Sequence, residues 1–254
     1  MLILYSSLVT LSFIVIGYLF GNILFGDIFS IFLKKNVRNI GSGNVGGTNS
    51  MRVFGKGYGI CVMFLDGAKS YIAIVCCWCI YLFSIGKWFP TNHNLYSLIF
   101  ISGLFTTIGH CFPIMFLINF KDKDKSKWIG GKGMMTTGGI IAAISPYIAL
   151  ITFSIWVIVV ASSRYVSLGS MLCTLISPFF VFIKQLDLIY LFGNSLFGNT
   201  LNFVNESPYS KHLILFAILF CIMILSASIV LYRHKSNIKK IKDGNERTII
   251  INQK

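Results

Sequence analysis

Residues 134–162 read MMTTGGIIAAISPYIALITFSIWVIVVAS. A helix of about 20 apolar residues crosses a ~30 Å hydrocarbon layer, so this uncharged stretch is too long for one crossing and too short for two full ones. Pro146 lies near its middle, where a ring with no N–H breaks a helix. We read two short helices here, 134–145 and 146–162. The choice sets the topology, because it decides on which side of a membrane every later residue lies.

Five further apolar segments lie outward from this point, near 2–25, 58–83, 95–118, 168–183 and 212–232. The expected architecture is all-α, with seven transmembrane helices, an N-terminus outside and a C-terminus in the cytoplasm. Basic residues test the orientation. Segments 25–57, 119–133, 162–168 and 233–254 hold 5, 5, 1 and 7 Lys or Arg, against only Lys87, Lys184 and Lys211 between the other spans. Short cytoplasmic loops carry such an excess. A single helix over 134–162 would put Arg164 and the basic tail outside, so the charge rule also favours the split.

Composition agrees. The chain has 254 residues, 55% hydrophobic and 12% charged, where soluble domains average roughly 25% charged. No polar stretch is long enough for a second soluble core, and one integral membrane domain over 1–254 is expected. The net charge of +14 lies in short loops between apolar runs, a pattern that suits anionic lipid and not nucleic acid. Cys61, Cys76, Cys77, Cys79, Cys111, Cys173 and Cys221 sit in apolar segments without ligand spacing, as small apolar fillers. The first charge is Asp27 and no A-x-A site follows the first apolar run, so it reads as a retained span and not a cleaved signal.

The chemistry gathers in three polar stretches that this topology puts on one face. The first is GSGNVGGTNSMR at 41–52, read as a loop of small residues ending in Arg52. Exposed amides at Gly41 and Gly43, small hydroxyls and a guanidinium suit a phosphate oxyanion. The second is GGKGMMTT at 130–137, where Gly131 and Lys132 precede a helix expected to start at Thr136. Free N–H groups and the positive dipole end would meet an anion there. The third is RYVSLGS at 164–170.

Other readings of these residues fail. GSGNVG matches G-x-G-x-x-G, but a membrane span precedes it and not a βαβ strand. Lys56 and Lys132 are each followed by Gly, which excludes a Walker loop, and no G-x-S-x-G elbow occurs. None of His93, His110, His212 and His234 has Asp at the fifth position after it, so the common soluble-side acyltransferase signature is absent. No HExxH or carboxylate cluster suggests a metal, and no cofactor is expected. Asp66 and Lys69, three apart inside a span, can neutralise one another; such pairs are either structural bridges or functional. His110, in GHCFP, can reach a substrate or a motif backbone.

Together these stretches resemble the motifs of the bacterial acyl-phosphate:glycerol-3-phosphate acyltransferases, the PlsY family. GSGNVGGTNSMR, GHCFPIMF with the later GGKGMMTT, and RYVSLGSM follow its order, and the tail RHKSNIKKIKDGNERTI is similar to its RHxxNIxRLxxGxExR. The resemblance runs from about residue 15 to 250. It implies a seven-helix inner-membrane enzyme with its site facing the cytoplasm. The implied substrates are acyl phosphate and glycerol 3-phosphate, the products 1-acyl-glycerol 3-phosphate and phosphate, and the membrane lipid its setting.

Carried onto this chain, the resemblance implies roles for Ser42, Asn44, Thr48, Asn49 and Arg52, for His110 and Lys132, for Arg164 and Ser167, and for Asn237. Ser42, Arg52 and a lysine of the second motif would hold phosphate, while Ser167 and Asn237 would orient the glycerol hydroxyls. The family runs from phenylalanine-lysine straight into GGKG, whereas here DKDKSKWI follows Lys121. That insertion leaves Lys121, Lys127 and Lys132 as alternatives, with Lys132 favoured and Lys121 second. With no Asp or Glu in the three motifs, the expected reaction is direct attack without an acyl-enzyme. The proton passes to a substrate phosphate oxygen, with His110 the rival base. A phosphate-ester transporter is the competing reading; it would be expected to show inverted repeats and midplane binding groups, and neither is seen.

Overall fold

The structure is a computed structural model and describes residues 2–85, 98–114, 129–181 and 209–248. These form helices α1 (Leu2–Asn22), α2 (Phe25–Phe32), α3 (Gly47–Phe54), α4 (Lys56–Ile80), α5 (Ile101–Cys111), α6 (Met134–Ile144), α7 (Pro146–Ser163), α8 (Val166–Ile176), α9 (Tyr209–Arg233) and α10 (Lys235–Lys242). Two compact units result, Met1–Ile140 and Ile141–Lys254, with the division inside α6.

Each apolar segment read from the sequence contains a helix, with shifted ends. The first apolar helix stops at Asn22 and restarts at Phe25. Within the predicted span 95–118, of which 95–97 and 115–118 lie outside the described residues, the helix ends at Cys111, because Pro113 disfavours helical backbone at Phe112. The break at Pro146 is as expected: α6 ends at Ile144 and Ser145 caps α7, accepting from the Ile148 N–H at 3.5 Å with Pro146 in the first turn. One expectation is corrected: residues 47–52 are not loop but the body of α3. The start of α6 at Met134 agrees with the segment 134–145 and puts Thr136 inside the first turn instead of at its head.

Among the described residues, four helical stretches are long and apolar enough to cross a membrane: Ser6–Phe32, which includes the break at 23–24, Lys56–Phe83, Pro146–Ser163 and Leu215–Arg233. Leu98–Cys111, Met134–Ile144 and Val166–Phe179 are apolar but shorter. At 1.5 Å per residue, α6 reaches only ~16 Å, about half a hydrocarbon core.

In the first unit the helices bury hydroxyl residues beside bulky ones such as Phe13, Ile74 and Ile140, and they also turn many bulky apolar side chains outward. Leu8, Leu11, Val15 and Leu19 form an exposed stripe on α1, while Ser102, Thr106 and Thr107 of α5 are fully buried. Gly17 and Gly21, four apart, let α1 lie directly on the α5 backbone. A Cβ at either would overlap Ser102 or Thr106 carbonyl oxygens. Thr106 Oγ1 then donates to Gly17 O at 3.0 Å, a bond of ~1 kcal/mol between two buried groups. Outward apolar faces around an interior that holds hydroxyls and close glycine contacts suit lipid as the surrounding solvent. Beside them, Leu24, Val37, Val45, Val53 and Phe54 form a small core that carries α2, the following loop and α3.

In the second unit α8 packs against α7 and α9. Gly169 lets α8 approach Val160 and Trp156 of α7, and Cys173 Sγ donates to Thr152 O at 3.4 Å. Arg164 closes the turn between α7 and α8 at φ 62°, a left-handed conformation uncommon for a side chain other than glycine.

Candidate active site

The first motif is built around Asn49. Gly41 and Gly43 take φ of 69° and 70°, which turns the loop back onto α3. Asn49, buried in the first turn of α3, accepts the Ser42 N–H at 2.8 Å. Its amide donates to Val37 O at 2.9 Å and Ile40 O at 3.0 Å. A Cβ at Gly41 would overlap its Oδ1. Both amide hydrogens are thus spent on the loop, and Asn49 positions the motif from within.

That geometry relocates the anion donors. Ser42 N–H serves Asn49, Gly43 N–H donates to Ile40 O, and Gly46 N–H donates to Asn44 Oδ1. No side chain caps α3 at Gly46, so the Gly47 and Thr48 amides head the helix. Thr48 and Arg52, four apart, share one face of α3; Ser42 and Arg52 are exposed and Thr48 half-buried.

Arg38 joins the first motif to the second. Its Nε and Nη2 grip Asp27 at 2.8 and 2.6 Å, and Nη1 donates to Ile129 O at 2.8 Å. The pair is nearly buried, with side-chain exposures of 10% each. Sequence reading missed it: the residues lie eleven apart, and only the turn after α2 brings them together.

In the second motif, Gly130 and Gly131 lie against His110. Their N–H groups donate to Cys111 O at 3.2 Å and His110 O at 3.0 Å. A Cβ on Gly131 would overlap His110 Nε2. Lys132 follows, half-buried, and Gly133 turns at φ 82° into α6. Thr136 and Thr137 both donate to Gly133 O at 2.9 Å. Thr136, expected among the ligands, is fully buried and braces this turn. Lys121 and Lys127 lie outside the described residues, as does most of the insertion 122–129.

His110 is buried too. Lys69 Nζ approaches its Nδ1 at 2.9 Å and Asp66 Oδ1 stands 3.5 Å away. Lys69 and Asp66 pair at 3.0 Å, so the charges foreseen on one face of this helix do meet, and His110 joins them.

The second unit gathers its own cluster. Ser167 Oγ and Asn237 Nδ2 both donate to Glu246 Oε1, each at 2.7 Å. Ser167 is buried in the first turn of α8, and Arg164 beside it is exposed. Glu246 is absent from the residues expected at the site. Its one signal was its place in the tail GNERTI, two residues after Gly244.

Known proteins are similar to this chain in sequence and in fold. The family model described as glycerol-3-phosphate acyltransferase matches residues 11–244. Glycerol-3-phosphate acyltransferase of Malacoplasma penetrans is 34% identical over 251 residues, covering 92% of this chain and 92% of the relative. That of Aquifex aeolicus is 31% identical, covering 92% and 95%. The crystal structure of PlsY (YgiH), an integral membrane glycerol 3-phosphate acyltransferase, in its glycerol 3-phosphate form is similar with a TM-score of 0.65. It is 28% identical and covers 94% of this chain and 95% of its own. The lysophosphatidic acid form of that protein matches with the same score and identity.

Proposed function

This chain belongs to the glycerol-3-phosphate acyltransferase family, of the PlsY type, and on that premise we propose that it moves a fatty acyl group from acyl phosphate to the 1-hydroxyl of glycerol 3-phosphate. It is an acyltransferase and a multi-pass membrane protein. The products are 1-acyl-glycerol 3-phosphate and inorganic phosphate, the first step of phospholipid synthesis. The chain forms one membrane domain with seven crossings, an outer N-terminus and a cytoplasmic C-terminus. Its site faces the cytoplasm of a bacterial inner membrane.

The observation that carries this reading is the Asn49-braced loop, tied by Arg38 to the turn before Lys132. Ser42, Thr48 and Arg52 of the first motif and Lys132 of the second surround phosphate, with the Gly47 and Thr48 amides as further donors. Gly41, Gly43, Asn44, Gly131 and Thr136 shape the two turns. For Arg164, Ser167 and Asn237 the family resemblance alone supports a role toward the glycerol hydroxyls.

An acyl phosphate is already activated. The glycerol hydroxyl attacks the carbonyl carbon, the C–O bond to phosphate breaks, and phosphate departs with the electron pair. The hydroxyl proton goes to a substrate phosphate oxygen. The protein supplies placement and charge stabilisation, and one donor to the developing oxyanion contributes about 3 kcal/mol.

The test uses purified protein in detergent with palmitoyl phosphate and glycerol 3-phosphate. Phosphate release that requires both substrates, with one acylated product per phosphate, is the expected result. Flux of glycerol 3-phosphate into proteoliposomes without acyl transfer would instead establish the transporter.

A further inference from the structure

Lys69 lies three residues from Asp66 on α4 and is 3% exposed. Its ammonium has three hydrogens and three acceptors in hydrogen-bonding geometry, Gly21 O at 3.2 Å, Ile23 O at 2.7 Å and His110 Nδ1 at 2.9 Å, while Asp66 Oδ1 at 3.0 Å lies outside that geometry. The two carbonyls belong to the end of α1, where the last turn leaves oxygens without helical partners. Asp66 Oδ1, at 3.0 Å, balances the charge, and the Phe25 ring lies 5.8 Å away. Stitching α1, α4 and α5 together would by itself account for a buried ion pair. It would not account for the histidine.

An ammonium can only donate; with Lys69 donating at 2.9 Å, and Asp66 Oδ1 farther off at 3.5 Å, Nδ1 is the accepting nitrogen and Nε2 the one left to carry the ring proton. Nε2 is the atom that lies over Gly131. The His110 carbonyl takes the Gly131 N–H, one residue before Lys132. We infer that Lys69 is a positioning residue of the acyl-transfer site: it holds His110 in the Nε2–H tautomer, and His110 in turn seats the turn that aims Lys132. In that tautomer Nε2 is a donor and Nδ1 is engaged, so His110 is no proton acceptor. The inference rests on the proposed role of Lys132 at the substrate phosphate.

The first measurement is the 15N spectrum of histidine-labelled protein in detergent, with the His110 signals identified by their loss in His110→Gln. An unprotonated Nδ1 with a protonated Nε2 is expected. A proton on Nδ1 overturns the inference, whether or not the protein transfers acyl groups. The second is kinetic. Lys69→Met frees the ring, and the expected outcome is a mixed tautomer with KM for glycerol 3-phosphate raised about tenfold, since displacing a positioned group by ~1 Å is costly. Lys69→Arg, which also only donates, recovers the tautomer and part of the KM. His110→Asn keeps an acceptor at the Nδ1 position but no base, and retains more than a tenth of kcat. A Lys69→Met protein with mixed tautomers and unchanged KM, or a His110→Asn protein as inactive as His110→Ala, would refute it. If Lys69→Met does not fold, the wild-type spectrum and Lys69→Arg decide alone.

Discussion

The hydroxyl of Ser167 donates to Glu246 Oε1 at 2.7 Å, across 79 residues of sequence. The same oxygen holds Asn237, so one carboxylate fixes two side chains assigned to the glycerol end. Hydrogen bonds to a charged group contribute ~1.5–3 kcal/mol each. Glu246→Gln keeps the shape but removes the charge, and a roughly tenfold loss in kcat/KM for glycerol 3-phosphate is expected. Glu246→Ala should lose more, with KM for acyl phosphate changed least. Equal losses for both substrates would show that the carboxylate supports folding alone.

Asn49 gives a sharper contrast. Asn49→Asp preserves the acceptor for Ser42 N–H but sets a carboxylate against the Val37 and Ile40 carbonyls. Leaving buried carbonyls unpaired costs ~1–3 kcal/mol, so Asn49→Asp should lower Tm by several degrees and activity by at least about tenfold. Asn49→Gln cannot restore it, because the extra methylene overlaps the Gly41 turn. Normal activity in Asn49→Asp would refute the bracing role.

Arg38 grips Asp27 with two nitrogens and Ile129 O with a third. A lysine ammonium cannot reproduce that fork. Arg38→Lys should therefore loosen the link between the two motifs and raise KM for glycerol 3-phosphate about fivefold, with Asp27→Asn milder. Trypsin cleavage after Lys132, read by mass spectrometry, should accelerate in parallel. An unchanged cleavage rate in Arg38→Lys would count against the link.

Gly21 tests the helix packing. A side chain there meets Thr106 O, Gly109 Cα and His110 N. Gly21→Val should force α1 from α5 and cost ~1–3 kcal/mol, lowering Tm in detergent and displacing His110 with it. The same change at Gly244, whose neighbourhood is open, should strain only its φ of 68°. Equal Tm values for Gly21→Val and wild type would contradict the packing.

Much of the helical layout was legible because it is local. Hydropathy over a window of spanning length finds the apolar segments, and Pro146 breaks its helix through its own ring. The motifs were legible as short strings in a fixed order. Their internal structure was not. Residues 47–52 look like loop because Gly, Thr, Asn and Ser are poor helix formers. The core of Val37, Val45 and Val53, with close packing of Gly47 on Gly59 of α4, makes them helical nonetheless. Asn49 and Thr136 carry ligand-like groups, yet burial turns both inward.

Sequence alone therefore determined where apolar segments lie, where Pro146 divides one and which residue types the motifs offer, since each follows from neighbours within one or two turns. Tertiary structure decided which polar group meets which: Asn49 with Ser42, Arg38 with Ile129, Lys69 with His110, Ser167 with Glu246. A hydrogen bond needs its atoms within a few tenths of an ångström, and for partners 41 to 91 residues apart only the packing of helices brings them so close.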